Sequence, residues 1–151
     1  MRQIADITAY SPDGKLALIV EVKKKAGTSV RWAAMMRRNL AAHGQFSEAP
    51  FFLLAVLDRF YFWKDKTSSL EPLEPDFVLE AEPILRPYIE KTGFEANGLA
   101  ESSLELIIAS WLSEIVQENG HDCFAPDSNW LWNSGFLDAI RGGKVEREYA
   151  V

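Results

Sequence analysis

Three side chains near the start of the chain, Asp6, Glu21 and Lys23, have the types and the spacing to do chemistry together. They lie in "ADITAYSPDGKLALIVEVKKK", residues 5–25, where an acid precedes a turn and a Glu-x-Lys follows it. Two carboxylates held close repel one another unless a cation or a proton intervenes. Oxygen donors beside a lysine suit Mg²⁺ or Mn²⁺ better than zinc. Such a cation would orient and acidify a water and offset charge building on a phosphate. Lys23 would position that water or stabilise the developing negative charge. The chemistry implied is hydrolysis of a phosphodiester. An ordinary ion pair at the end of a strand is the plain alternative.

The elements that must position these residues follow from the pattern around them. Residues 4–10 and 15–23 read as strands flanking Ser11-Pro12-Asp13-Gly14, and Asp-Gly between apolar runs signals a hairpin. "LALIV" is apolar on both faces, as in a covered central strand. A two-residue Asp13-Gly14 loop makes paired residue numbers sum to 27 and sets Asp6 opposite Glu21. A four-residue loop makes the sum 25 and sets Asp6 diagonal to Glu21 on the same face. Lys23 shares that face because strand side chains alternate. Opposed Cβ atoms lie roughly 4.5–5.5 Å apart and diagonal ones roughly 7–8 Å, and either spacing lets two carboxylates share a cation. An even sum, as a bulge would give, puts Asp6 and Glu21 on opposite faces.

Further along, Gly27 ends the hairpin unit, and Thr28 or Ser29 caps a helix over 29–42 with Trp32, Met36 and Leu40 on one stripe. His43-Gly44 marks its stop. "FFLLAV" (51–56) is a buried strand that turns at Leu57-Asp58-Arg59 into "FYFW" (60–63). Residues 65–80, with their acids and prolines, read as surface loop, and a short helix is expected over 83–91, ending near Gly93. A longer helix opens at Ser102 with a Ser102-x-x-Glu105 capping box and carries Leu104, Ile107, Ile108, Trp111, Leu112 and Ile115 inward. It stops by Asn119-Gly120, and "RGGKVEREYAV" reads as an exposed tail. The result is an α/β (α+β) arrangement: a mixed sheet of about four strands with helices packed on it.

Asp6, the hairpin and Glu21-Val22-Lys23 resemble the core of the PD-(D/E)XK nuclease superfamily, the restriction-endonuclease-like fold. The helix at 29–42 and the strand "FFLLAV" continue the resemblance, and "FFLLAVLDRFYFWKD" is similar to the strand-turn-strand of the nuclease domain in type I restriction motor subunits. The chain also looks like small proteins of this fold from cyanobacteria. The resemblance covers residues 4–64. It implies a nuclease that hydrolyses nucleic-acid phosphodiesters, with DNA the expected substrate. It assigns Asp6 and Glu21 to Mg²⁺ or Mn²⁺, and Asp6, Glu21 and Lys23 to catalysis. Two departures stand out. The family core begins with a helix, often bearing an acid, and a strand ahead of the Asp strand, yet only five residues precede Asp6. The fold is therefore expected to be reduced at its N-terminus, unless a later helix and strand fill those places. The other departure is Ala5, where the motif usually has proline. The helix carries no Gln-x-x-x-Tyr signature, so the recombination-nuclease subgroup is not supported.

Composition is compatible with this. A chain of 151 residues suits a single domain, 1–151, with its core at 4–64 and a helical and irregular part at 80–140. With 48% apolar and 25% charged residues it is neither disordered nor built to cross a bilayer. No basic, apolar leader opens the chain, and Cys123 is its only cysteine, so a cytoplasmic protein without internal disulfides is expected. The net charge of -6 argues against a broad nucleic-acid surface, but residues 1–45 hold eight Lys/Arg against three Asp/Glu. Lys24, Lys25, Arg31, Arg37 and Arg38 are the candidate contacts to a nucleic-acid backbone. His43, His121 and Cys123 lack partners for catalysis, Trp111 is expected in the core, and Trp130 and Trp132 are open between core and interface. The rival function is a catalytically inactive member of the fold, acting through a homodimer or a protein partner.

Overall fold

The computed structural model describes residues 6–42, 49–64, 72–93, 99–117 and 135–147. Strands β1 (Ile7–Tyr10) and β2 (Leu16–Val22) form the expected antiparallel hairpin. Its loop runs from Ser11 to Lys15, closed by bonds from the Ser11 N–H to the Lys15 carbonyl (2.9 Å) and from the Gly14 N–H to the Ser11 carbonyl (2.9 Å). Gly14 takes the left-handed conformation this turn needs, at φ 83°. Tyr10 pairs with Leu16, but after a bulge Ala9 pairs with Leu18, Thr8 with Ile19 and Ile7 with Val20. The loop is thus longer than either expected form. The bulge then restores the register that sums to 27 over Ile7–Ala9, and Asp6, just ahead of β1, leaves it by donating its N–H to the Val20 carbonyl.

Helix α1 (Val30–Ala42) crosses over to β3 (Phe51–Ala55), which lies parallel to β2. Ser29 caps α1, its Oγ accepting the Trp32 N–H at 3.1 Å. Strand β4 (Arg59–Lys64) returns antiparallel beside β3, as the turn at Asp58 implies. Residues 77–80, expected as loop, instead form strand β5 (Phe77–Glu80) on β4. Their alternation is real but short: Phe77 and Leu79 turn inward while Val78 is 43% exposed. Helix α2 (Glu82–Thr92) ends at Gly93, left-handed at φ 77°. Helix α3 (Glu101–Val116) buries the expected stripe, including Trp111 against Phe60 at 5.6 Å. Its predicted capping box does not form. Ala100 is the N-cap, without a side-chain bond, and Glu105 turns to Arg147 instead.

The predicted exposed tail is also corrected. After a short helix α4 (Phe136–Ile140), residues 144–147 form strand β6 (Lys144–Arg147), antiparallel to β1. The sheet therefore has six strands in the order β5-β4-β3-β2-β1-β6. One face packs against α2, α3 and α4, the other against α1 through Ala33, Trp32, Met36 and Leu40. His43, His121, Cys123, Trp130, Trp132 and the expected helix stops at 43–44 and 119–120 lie outside the described residues.

Entry into β6 demands glycine. A Cβ on Gly143 would stand 1.7 Å from the Tyr10 carbonyl oxygen, a backbone atom that cannot swing aside. Gly143→Ala should therefore displace β6 and cost about 3 kcal/mol or more. Denaturant unfolding checks the magnitude. Amide exchange should show protection lost first in β6 and the outer side of β1.

Candidate active site

β2 is an interior strand, flanked by β1 and β3 and covered on both faces. Its pattern from Ala17 to Val22 is unbroken burial, and Glu21 falls inside that run with only 8% exposure. Glu21 lies beside Leu54 of β3, on the α1 face of the sheet. Lys23, half-buried, follows two residues on and shares that face by alternation.

Asp6 brackets Glu21. Its N–H donates to the Val20 carbonyl at 3.1 Å, and its Oδ2 accepts the Val22 N–H at 2.7 Å. Its carboxyl group lies close enough to that of Glu21 to raise the Glu21 pKa. Beyond Val22 the exit of β2 continues with the Lys23 N–H on the Ala55 carbonyl at 3.0 Å. The Lys24 N–H then meets Glu101 Oε2 at 3.0 Å. The structure thus brings together Asp6, Glu21 and Lys23 as the sequence predicts, and adds Glu101 from α3.

Electrostatics follow from this crowding. Burial, and next the Asp6 carboxylate, push the Glu21 carboxyl up to about 7, while Lys23 pulls it down and Glu101 adds to the rise. Glu105, one turn along α3, is also raised, first by burial and then by Asp6, with Arg147 opposing. Arg147 Nη2 stands 3.4 Å from Glu105 Oε1, both side chains being largely buried. Glu101, Glu105 and Arg147 escaped the sequence reading. Glu105 is expected from the sequence only as the partner of Ser102 in a capping box, and Glu101 carries no local signal beyond an acid at a helix start.

Among the described residues no group of three or more His, Cys, Asp or Glu side chains stands together as a metal cage. Mg²⁺ does not need one. It keeps several waters and is held by one or two carboxylates plus substrate phosphate. Asp6 and Glu21 fit that requirement, since a cation would relieve the repulsion that drives Glu21 to hold its proton.

The five candidate backbone contacts separate. Lys24, Lys25 and Arg31 are exposed and Arg38 half-buried, with Lys25 Nζ 5.8 Å over the Trp32 ring. Arg37 is withdrawn from the set, being only 2% exposed. Its guanidinium lies 5.9 Å from the Phe52 ring centre and 5.7 Å from that of Trp63, and burial lowers its pKa against the pull of Asp76. It is a core residue of the α1 face. Arg37→Ala should lower stability by about 2–4 kcal/mol. It should leave any salt-dependent DNA affinity unchanged, whereas Lys24→Ala with Lys25→Ala should weaken such affinity and flatten its salt slope by about two. Filter binding over a salt series separates the two.

Glu21 also predicts a pH dependence. Its folded-state pKa, about 7, exceeds the unfolded value of 4.5, so the native protein holds more protons between those limits. The stability contributed by the proton is full below pH 4.5 and lost as pH rises through 7. Glu21→Gln should abolish that window and raise stability at pH 8 by up to about 3 kcal/mol in metal-free buffer. Urea unfolding across pH checks it, and an unchanged pH profile in the variant would count against the buried acid.

Comparison with protein-family models, curated proteins and solved structures finds no match for this chain, so its chemistry is read from its own geometry.

Proposed function

We propose that this protein is a metal-dependent hydrolase of nucleic-acid phosphodiesters, with DNA as substrate and Asp6, Glu21 and Lys23 as its catalytic residues. One observation carries the proposal. Two carboxyl groups, one on β2 and one on the residue just ahead of β1, come close at the end of a covered strand, one of them buried, with a lysine two residues on. A buried acid pair of this kind is costly without a counter-charge, and it persists where a ligand supplies one.

The topology supports the same conclusion. The PD-(D/E)XK resemblance calls for an acid-bearing helix and a strand ahead of the Asp strand. Here α3, carrying Glu101 and Glu105, and β6, paired with β1, occupy the corresponding flank from the far end of the chain. On this reading they would stand in for those parts in a permuted order.

Asp6 and Glu21 would hold Mg²⁺ or Mn²⁺. The cation, when bound, supplies positive charge against the phosphate and acidity to a water. Lys23 would stabilise negative charge growing on the phosphate in a partly dehydrated site. Asp6 fixes the Glu21 segment through the Val22 N–H, so the two acids cannot drift apart independently. Lys24, Lys25 and Arg31 would attract the sugar-phosphate backbone without reading bases.

The test is incubation with plasmid, linear and single-stranded DNA in Mg²⁺ and in Mn²⁺. Cleavage should fall about 10²–10³-fold in Lys23→Ala and vanish with chelator. Mn²⁺ affinity should be lost in Glu21→Gln. Cleavage that survives Lys23→Ala, or no Mn²⁺ binding at millimolar concentration, would leave a non-catalytic member of the fold that acts on a protein partner or as a dimer.

A further inference from the structure

At the exit of β2, successive N–H groups alternate between the two flanks, as in any strand. The Lys23 N–H points to β3 and is taken by the Ala55 carbonyl at 3.0 Å. The Val22 and Lys24 N–H groups point the other way, toward the β1 flank. There, carboxylates take the place of a neighbouring strand's carbonyls: Asp6 Oδ2 at 2.7 Å and Glu101 Oε2 at 3.0 Å. Glu101 thus continues the ladder from a helix.

Glu105 lies on the same side of α3, one turn on, and bonds Arg147 of β6 at 3.4 Å. Arg147 is the register partner of Ile7, the residue next to Asp6. Because the sheet order sets β1 between β2 and β6, the opening turns of α3 reach both of its neighbours and span the strand start that carries Asp6.

We propose that Glu101 and Glu105 are positioning residues for the Asp6–Glu21 pair, strapping β2 to β6 across β1, and are not donors to its cation. One oxygen of each is engaged by a protein donor: Glu101 Oε2 by a backbone amide and Glu105 Oε1 by a guanidinium. What the strap requires of each side chain is a hydrogen-bond acceptor at that reach. What a cation would require is negative charge. Glutamine keeps the first and removes the second, so the two roles separate cleanly.

The experiment uses the full chain, and as a statement about cation binding it rests on the hydrolase proposal. Glu101→Gln, Glu101→Ala, Glu105→Gln and Glu105→Ala are compared for Mn²⁺ affinity by calorimetry and for amide exchange without metal. The Gln variants should bind Mn²⁺ within about threefold of the unaltered protein, and the Ala variants about tenfold more weakly. In Glu101→Ala the Lys24 and Val22 amides should exchange about tenfold faster while those of β4 hold their rates. Three results would overturn the proposal. One is Mn²⁺ affinity lost as deeply in the Gln variants as in the Ala variants. The others are an unchanged Val22 amide in Glu101→Ala, and acceleration shared equally by β4. If the unaltered protein binds no Mn²⁺, the hydrolase proposal fails separately and the amide rates alone decide the strap.

Discussion

A carboxylate set into a strand that is covered on both faces is the constraint on which the arrangement around Asp6 and Glu21 depends. Removing a charge from water is among the larger penalties a fold can carry, and a single buried acid answers it by keeping a proton or finding a counter-charge. Glu21 shows the first response, its carboxyl raised by burial and by Asp6. Lys23 offers part of the second. The surrounding structure is arranged so that neither response is available by simple retreat. β2 is pinned by β3 through a five-pair parallel register, and Asp6 fixes the Val22 amide from the other side. The acid cannot swing to solvent without unpicking a central strand.

The same burial physics, with opposite sign, governs Arg37. In sequence it belongs to a basic run with Arg38, and its charge alone suggests a surface. In the fold it lies on the stripe of α1 that faces the sheet, between Phe52 and Trp63, where aromatic faces and Asp76 offset part of the desolvation. Helical phase, rather than residue type, sorts Arg37 inward while Arg31 remains exposed. The positive surface beside the acid pair is consequently narrower than the sequence suggests. Among the described candidates, Lys24 and Lys25 follow the exit of β2, while Arg31 lines a pocket with Pro72 and Glu74 and Arg38 is half-buried further along the helix.

The other organising feature is a return across the whole chain. β1 is flanked on its outer side by β6, whose four residues come from near the opposite end of the sequence. Gly143 permits this by having no side chain where the Tyr10 carbonyl must fit. Packing of α4 secures it, with Phe136 against Phe51 at 5.3 Å and Phe62 at 5.2 Å. Through β6 the molecule gains Arg147, and through α3 the acids Glu101 and Glu105, so the neighbourhood of Asp6 is assembled from three distant segments.

The sequence by itself determined the hairpin, the crossover helix, the β3–β4 unit and the nearness of Asp6, Glu21 and Lys23 at one end of that hairpin. Each follows from local rules: a turn dipeptide, an apolar run too continuous for a wet strand, and a period of two or of 3.6 residues. Short alternation was harder to see. Four-residue strands such as Phe77–Glu80 and Lys144–Arg147 carry too few residues for a period to stand out among acids, prolines and glycines. Only the tertiary structure decided that β6 closes the flank of β1, that Glu105 faces Arg147 rather than capping its own helix, and that Arg37 is interior. The physical reason is common to all three. Which partner a polar group meets is set by contacts between segments far apart in the chain, and no local pattern records them. The turn length was likewise open in sequence, and a bulge settled it by restoring the register over Ile7–Ala9.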